Sequence, residues 1–151
     1  MGRDIGLSIE HRVSAAFRPD DRELPFAERL TVNDRAVPLA HSIGRATLIF
    51  HMLTGYEDED ERCPAIAARV GLPSDLSPEV RAAYEQSSDP GYGPPGWLTL
   101  DDLDRYDLAA GYESPLGTRE PFSPHAVAWV VALREYLRAA GADARMIYWW
   151  F

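Results

Sequence analysis

Polar and apolar residues alternate through the first segment of the chain. Ile5, Leu7, Ile9, His11 and Val13 fall on one side, and Asp4, Gly6, Ser8, Glu10 and Arg12 on the other. A period of two predicts a strand over 3–13 with one covered and one wet face. Residues 14–27 hold Pro19, Asp20, Asp21 and Pro25 and read as a loop. Leu30 and Val32, then Val37 and Leu39, flank Asn33-Asp34. That pair tolerates left-handed backbone, so a hairpin is predicted over 29–39, with Pro38 at an edge or strand end.

The period then changes. Ser42 is read as the cap of a helix running to Thr54 and stopped by Gly55, with Ala46, Ile49, Phe50 and Leu53 on the face toward the sheet. His41, Arg45, Leu48, His51 and Met52 fall on the other side. The carboxylate run Glu57–Glu61 reads as a solvated loop. Ser77-Pro78-Glu79 opens a second helix that ends near Gln86. Residues 87–96 are rich in proline and glycine and read as loop. Thr99 with Asp102 forms a capping box on the shorter acid, opening a brief helix through Tyr106. Residues 111–122 read as loop.

The strongest helix signal covers 124–140, between Ser123 and Gly141, with a stripe from Ala126 through Trp129, Val130, Leu133 and Leu137. The terminal Arg145-Met146-Ile147-Tyr148-Trp149-Trp150-Phe151 carries β-formers on both faces and fits a central, doubly covered strand. The expected fold is α+β, a single domain over 1–151. A mainly antiparallel sheet of the N-terminal strand, the hairpin and the C-terminal strand is packed by the helices at 42–54 and 124–140.

Composition narrows the function classes. With 46% hydrophobic and 26% charged residues the chain is globular in character. A net charge of −9 argues against duplex nucleic acid as a partner. No apolar run is long enough to span a bilayer. Met1-Gly2-Arg3-Asp4 lacks a signal-peptide pattern, and Cys63 is the single cysteine, so a cytoplasmic location is expected. All 15 basic residues are arginine, which reads as GC-rich codon usage, as in a GC-rich bacterium or its phage.

Several short motifs occur together: Met1-Gly2-Arg3-Asp4-Ile5, Arg45…Leu48-Ile49-Phe50…Leu53…Gly55, Val70-Gly71-Leu72-Pro73, Ser77-Pro78-Glu79-Val80-Arg81, Trp97-Leu98-Thr99-Leu100-Asp101-Asp102-Leu103 and the aromatic end. In this order they resemble a family of small uncharacterised proteins of actinobacteria and their phages. The resemblance implies little about activity. It also departs at polar positions: the family's D-I-H stands here as Asp4-Ile5-Gly6, its histidines before W-L-T-L as Gly93-Pro94-Pro95-Gly96, and its F-W-F-D-N end as Tyr148-Trp149-Trp150-Phe151.

No phosphate-binding loop, dinucleotide fingerprint, H-E-x-x-H or nucleophile elbow is present. His11, His41, His51 and His125 lack metal-ligand spacing, so no metal and no cofactor are expected. Cys63 has no base beside it and reads as structural. Asp4, Glu10, His11 and His51 are the acid/base residues an enzyme would have to use; no catalytic set is defined. The leading expectation is a non-enzymatic accessory binding protein acting on a protein partner. The alternatives are a binder of a small anionic or aromatic, nucleotide-like ligand, and an enzyme with scattered acid/base residues. The residues expected at a ligand or partner contact are Arg45, His41 and His51 with Tyr148 and Trp150, where arginine and rings together hold a base or anchor a partner. A homodimer contact is the competing reading of the same surface.

Overall fold

The computed structural model describes residues 4–25, 27–44, 47–57, 62–67 and 69–151. Among them runs a six-stranded antiparallel sheet built on the two strands anticipated at either end of the chain. β1 (Ile5–Val13) and β10 (Arg145–Trp150) lie side by side at its centre, in register from Ile5↔Trp150 to Glu10↔Arg145. All of β10 is buried, as expected of a strand with apolar residues on both faces.

On its other side β1 changes partner half-way. Its first residues pair with β4 (Arg35–Gly44) and its last with β2 (Ala16–Pro19). At the changeover Ser8 donates its hydroxyl to the Leu39 carbonyl at 2.7 Å, where Leu39 takes a left-handed φ of 61°. β3 (Glu28–Val32) pairs with β4, and β7 (Gly96–Thr99) closes the opposite edge against β10. The order is β3-β4-β1-β10-β7. Asn33 and Asp34 both have positive φ, 51° and 60°, the double left-handed turn that matches strand twist in a two-residue hairpin.

Three expectations are corrected here. Residues 14–27 are not all loop, because Ser14 adopts a left-handed φ of 57° and folds β2 back onto β1. The helix does not start at Ser42. β4 continues to Gly44 because the open edge of β1 offers backbone partners, Leu7↔His41 and Gly6↔Ser42, which outweigh a capping serine. α1 is Thr47–Thr54, and its core face is Ile49, Met52 and Leu53, with Phe50 only partly buried. β7 falls where no element was expected, with Trp97-Leu98-Thr99 preceding the capping box as a strand, and the third correction concerns the later stretch read as loop. Residues 111–122 likewise supply β8 (Tyr112–Glu113) and β9 (Arg119–Glu120). With β5 (Tyr56–Glu57) and β6 (Arg62–Cys63) these form a second, four-stranded sheet.

The capped helices stand where their signals place them. α2 is Pro78–Ser87 with Ser77 accepting from the Val80 amide, and α3 is Leu100–Arg105 with both halves of the Thr99/Asp102 box formed. α4 is Pro124–Ala140, from Ser123 to Gly141. One sheet face, Ile5, Leu7 and Ile9 with Met146, Tyr148 and Trp150, packs on α1 and α4. The other face carries Ile147 and Trp149 and is covered at one end by Val80 and Ala83 of α2. Gly6 must be glycine there, since a Cβ would sit 2.6 Å from Nε1 of Trp149. No helix among the described residues is long and apolar enough to cross a membrane.

Candidate functional site

The end of the second sheet face that α2 leaves uncovered is charged. Strand parity puts Glu10 and Arg12 of β1, Phe17 of β2, Arg145 of β10 and Trp97 of β7 on that face. Glu10 is fully buried, and such a charge must be paired. Its Oε2 accepts from Arg145 Nε at 2.8 Å and lies 2.7 Å from Nη2, while Oε1 accepts the Ser77 amide at 2.8 Å. Arg145, 5% exposed, also donates Nη1 to Asp75 Oδ1 at 2.8 Å and Nη2 to the Asp75 carbonyl at 3.2 Å. That hydrogen bond holds the Asp75 carboxyl below the usual aspartate range.

Guanidinium and aromatic groups alternate across the same face. Arg12 lies 4.8 Å and Arg145 3.5 Å from the Phe17 ring centre, and Arg145 is 5.7 Å and Arg69 4.6 Å from that of Trp97. Every arginine in this ladder is matched to a carboxylate: Arg12 to Asp143 at 3.7 Å, Arg145 to Glu10 and Asp75, and Arg69 to Asp102. Above the ladder opens a cleft of about 570 Å³, walled by the 73–75 and 142–144 segments, with Asp75, Asp101 and Asp143 lining it. Their side chains are exposed; Asp101 is itself paired with Arg105 at 2.6 Å, and across the cleft the carboxylates of Glu10, Asp75, Asp101 and Asp143 outnumber the guanidiniums of Arg12, Arg105 and Arg145 by one.

A second concavity, of about 300 Å³, lies on the opposite sheet face. Phe50 of α1, Tyr148 and Trp150 of β10, and the Tyr92–Pro95 loop wall it, with Arg69 and Val70 at the β7 side. The Phe50 and Trp150 rings stand 4.5 Å apart. Trp150 donates its indole N–H to the Pro94 carbonyl at 3.1 Å, and Tyr148 its hydroxyl to the Leu53 carbonyl at 3.2 Å. Burial pushes the Tyr148 phenol up to about 12. Gly96 lets Tyr148 reach this position, for a Cβ there would sit 2.3 Å from its hydroxyl.

Of the residues expected at a contact, Arg45 lies outside the described residues. His41 belongs to β4 rather than to a helix face; it is buried, and burial together with the Arg29 charge lowers its pKa against the pull of Glu23. His51 is in α1, its ring edge-on to Phe50 with centres 5.8 Å apart. Tyr148 and Trp150 sit in the core but still line the second pocket. His41 and the C-terminal rings are thus on separate elements.

Asp4 pairs its backbone with Phe151 at the sheet end. His11 Nδ1 is buried without a hydrogen-bond partner among the described residues, 3.5 Å from Asp20 Oδ2. Asp20 accepts from Arg22 and from Tyr136, whose hydroxyl is 2.9 Å away. Burial raises the Asp20 pKa, but these hydrogen bonds outweigh it and the net shift is downward. Cys63 is buried with Sγ 3.9 Å from the Tyr106 hydroxyl, which itself donates to the Pro64 carbonyl at 2.7 Å. No group of three or more His, Cys, Asp or Glu side chains among the described residues is placed to hold a metal ion.

Phe17, Asp75, Trp97 and Arg145 were absent from the sequence-derived site. Arg145 carried the one signal that pointed to it: a charge at the parity of Ile147 and Trp149, on a strand read as covered on both faces. No protein-family model, curated protein or solved structure matches the chain.

Proposed function

We propose that the chain is a non-enzymatic binding protein that holds a protein partner through the cleft over Phe17 and Trp97, with a basic segment of the partner entering it. One observation carries the reading: the cleft's arginines are already paired, and the carboxylates of Glu10, Asp75, Asp101 and Asp143 outnumber the guanidiniums of Arg12, Arg105 and Arg145 by one, with Asp75, Asp101 and Asp143 exposed. An anion entering here would have to displace a carboxylate from each arginine, whereas an arginine or lysine adds to the existing alternation of rings and cations. The overall charge of −9 favours encounter with the same class of partner. A cytoplasmic accessory role in a bacterium or phage, and kinship with the actinobacterial and phage family, belong to this proposal and are supported by the arginine-only basic composition and the scattered motifs.

The test is titration with hexa-arginine and hexa-glutamate peptides. Hexa-arginine should bind, weaken with added salt, and lose roughly tenfold in affinity when Asp101 and Asp143 are both changed to lysine, about the loss expected for two rim charges. Equal binding of both peptides, or indifference to the double substitution, overturns the reading.

A further inference from the structure

The ladder of guanidiniums and rings beneath the cleft runs Arg12, Phe17, Arg145, Trp97, Arg69, so it ends on a cation at both sides. Its middle member shows what a completed step contains. Arg145 lies against two rings, 3.5 Å from the centre of Phe17 and 5.7 Å from that of Trp97, and Glu10 and Asp75 supply its counter-charges. Enclosed in this way, its side chain is 5% exposed.

The terminal steps are each one ring short. Arg12 has Phe17 at 4.8 Å and Asp143 at 3.7 Å, and Arg69 has Trp97 at 4.6 Å and a bond to Asp102. No second ring stands against either guanidinium among the described residues, and the two side chains are 43% and 39% exposed. Of the two, Arg12 lines the cleft, next to Asp143 on its 142–144 wall.

A guanidinium has in-plane donors for carboxylates and two flat faces for rings. Asp143 already supplies the counter-charge at Arg12. A further carboxylate there would enlarge the excess of negative charge in the cleft, and a cation would be repelled by Arg12 itself. An uncharged ring does neither, and it gains the same quadrupole attraction that Phe17 provides on the inner side. The exposed carboxylates call for basic residues, and the end of the ladder calls for an aromatic one.

Resting on the reading of the cleft as a site for a basic segment, we propose that this segment also carries an aromatic side chain. Its ring stacks on the exposed side of Arg12 and extends the ladder by one step.

Phenylalanine and cyclohexylalanine differ in the π system and little in size, which makes them the probes. The six hexapeptides of five arginines and one phenylalanine are titrated into the full chain beside the six matching cyclohexylalanine peptides. In at least one position phenylalanine should bind about threefold more tightly than its saturated counterpart, the size of one partly exposed cation–π contact. In that complex the ring current should move the Arg12 Nε–H resonance upfield, and the cyclohexylalanine peptide should not. Arg12→Gln should bring the two peptides within error of each other. Arg35→Gln, the same change of charge at an exposed position on β4, should leave their difference in place. Equal affinity in every matched pair, no ring-current shift at Arg12, or a preference that survives Arg12→Gln would each overturn the proposal, while hexa-arginine still binds and the reading of the cleft stands. Failure of hexa-arginine to bind would remove that reading and the aromatic contact together.

Discussion

Glu10 and Arg145 sit at adjacent positions on the two central strands, where a one-residue shift would put an apolar side chain in each place. Burying both charges is costly, and the cost is met only while every donor and acceptor is matched. Here the match includes the Ser77 amide, so the pair ties the sheet to the start of α2 as well as β1 to β10. Glu10→Gln keeps the shape and an acceptor for that amide but leaves the guanidinium without its buried counter-charge. It should cost about 3–5 kcal/mol in urea unfolding, the range for breaking a buried pair from one side. A loss below about 1 kcal/mol, the size of an exposed pair, would mean that Asp75 alone neutralises Arg145. The alternation of β1 shows Glu10 on the face away from Ile5, Leu7 and Ile9, which from sequence reads as the wet side. What hides it is α2 and β2, and β2 lies in a stretch whose prolines and aspartates gave no strand pattern.

At the scale of elements, the helices opened by a capping residue, followed by a proline in α2 and α4 and completed as a capping box in α3, are where their local chemistry puts them, because those signals act within one or two turns. α2, α3 and α4 follow this rule. The strands that escaped notice are short and depend on distant partners: β7 on β10, β2 on β1, and the two-residue strands of the small sheet on one another. The β4–α1 boundary moved for the same reason, and it moved the expected site with it. His41 went to the sheet, and Arg45 lies outside the described residues. The β3–β4 turn, by contrast, was legible, since Asn33-Asp34 is one of few pairs that accept two left-handed residues. Asp34, at φ 60°, has no need of its side chain to hold that turn, for it makes no hydrogen bond there among the described residues. Asp34→Gly should therefore stabilise the chain by roughly 0.5–1 kcal/mol, through relief of left-handed strain partly offset by unfolded-state entropy. Thermal unfolding measures it, and a lowered midpoint would show that the turn draws on the carboxylate after all.

For the molecule as a whole, the shifted titrating groups make its stability depend on acid in a defined order. His41, buried in β4, has its pKa lowered in the folded state, chiefly by desolvation. The unfolded chain therefore takes up that proton first, and stability begins to fall as pH drops below the unfolded histidine value of about 6.5. Asp20, Asp75 and Asp102 are also held below their ordinary range, by Arg22 and Tyr136, by Arg145, and by Arg69 with Thr99. For a carboxyl lowered on folding, the contribution is complete above the unfolded value and is lost as pH falls toward the folded one. These three act in the same direction as His41 but begin near the unfolded aspartate value of about 3.9. Stability should thus decline in two stages, a shallow one from about pH 6.5 and a steeper one from about pH 4.5 downward, the onset expected slightly above the unfolded carboxyl value. Unfolding by urea at a series of pH values resolves them. His41→Gln should flatten the first stage and leave the second in place, because the three carboxylates are held by arginines, a tyrosine and a threonine on other elements. A first stage that persists in His41→Gln would assign it to another group, and a single decline confined to the carboxyl range would show that His41 takes up its proton as readily folded as unfolded.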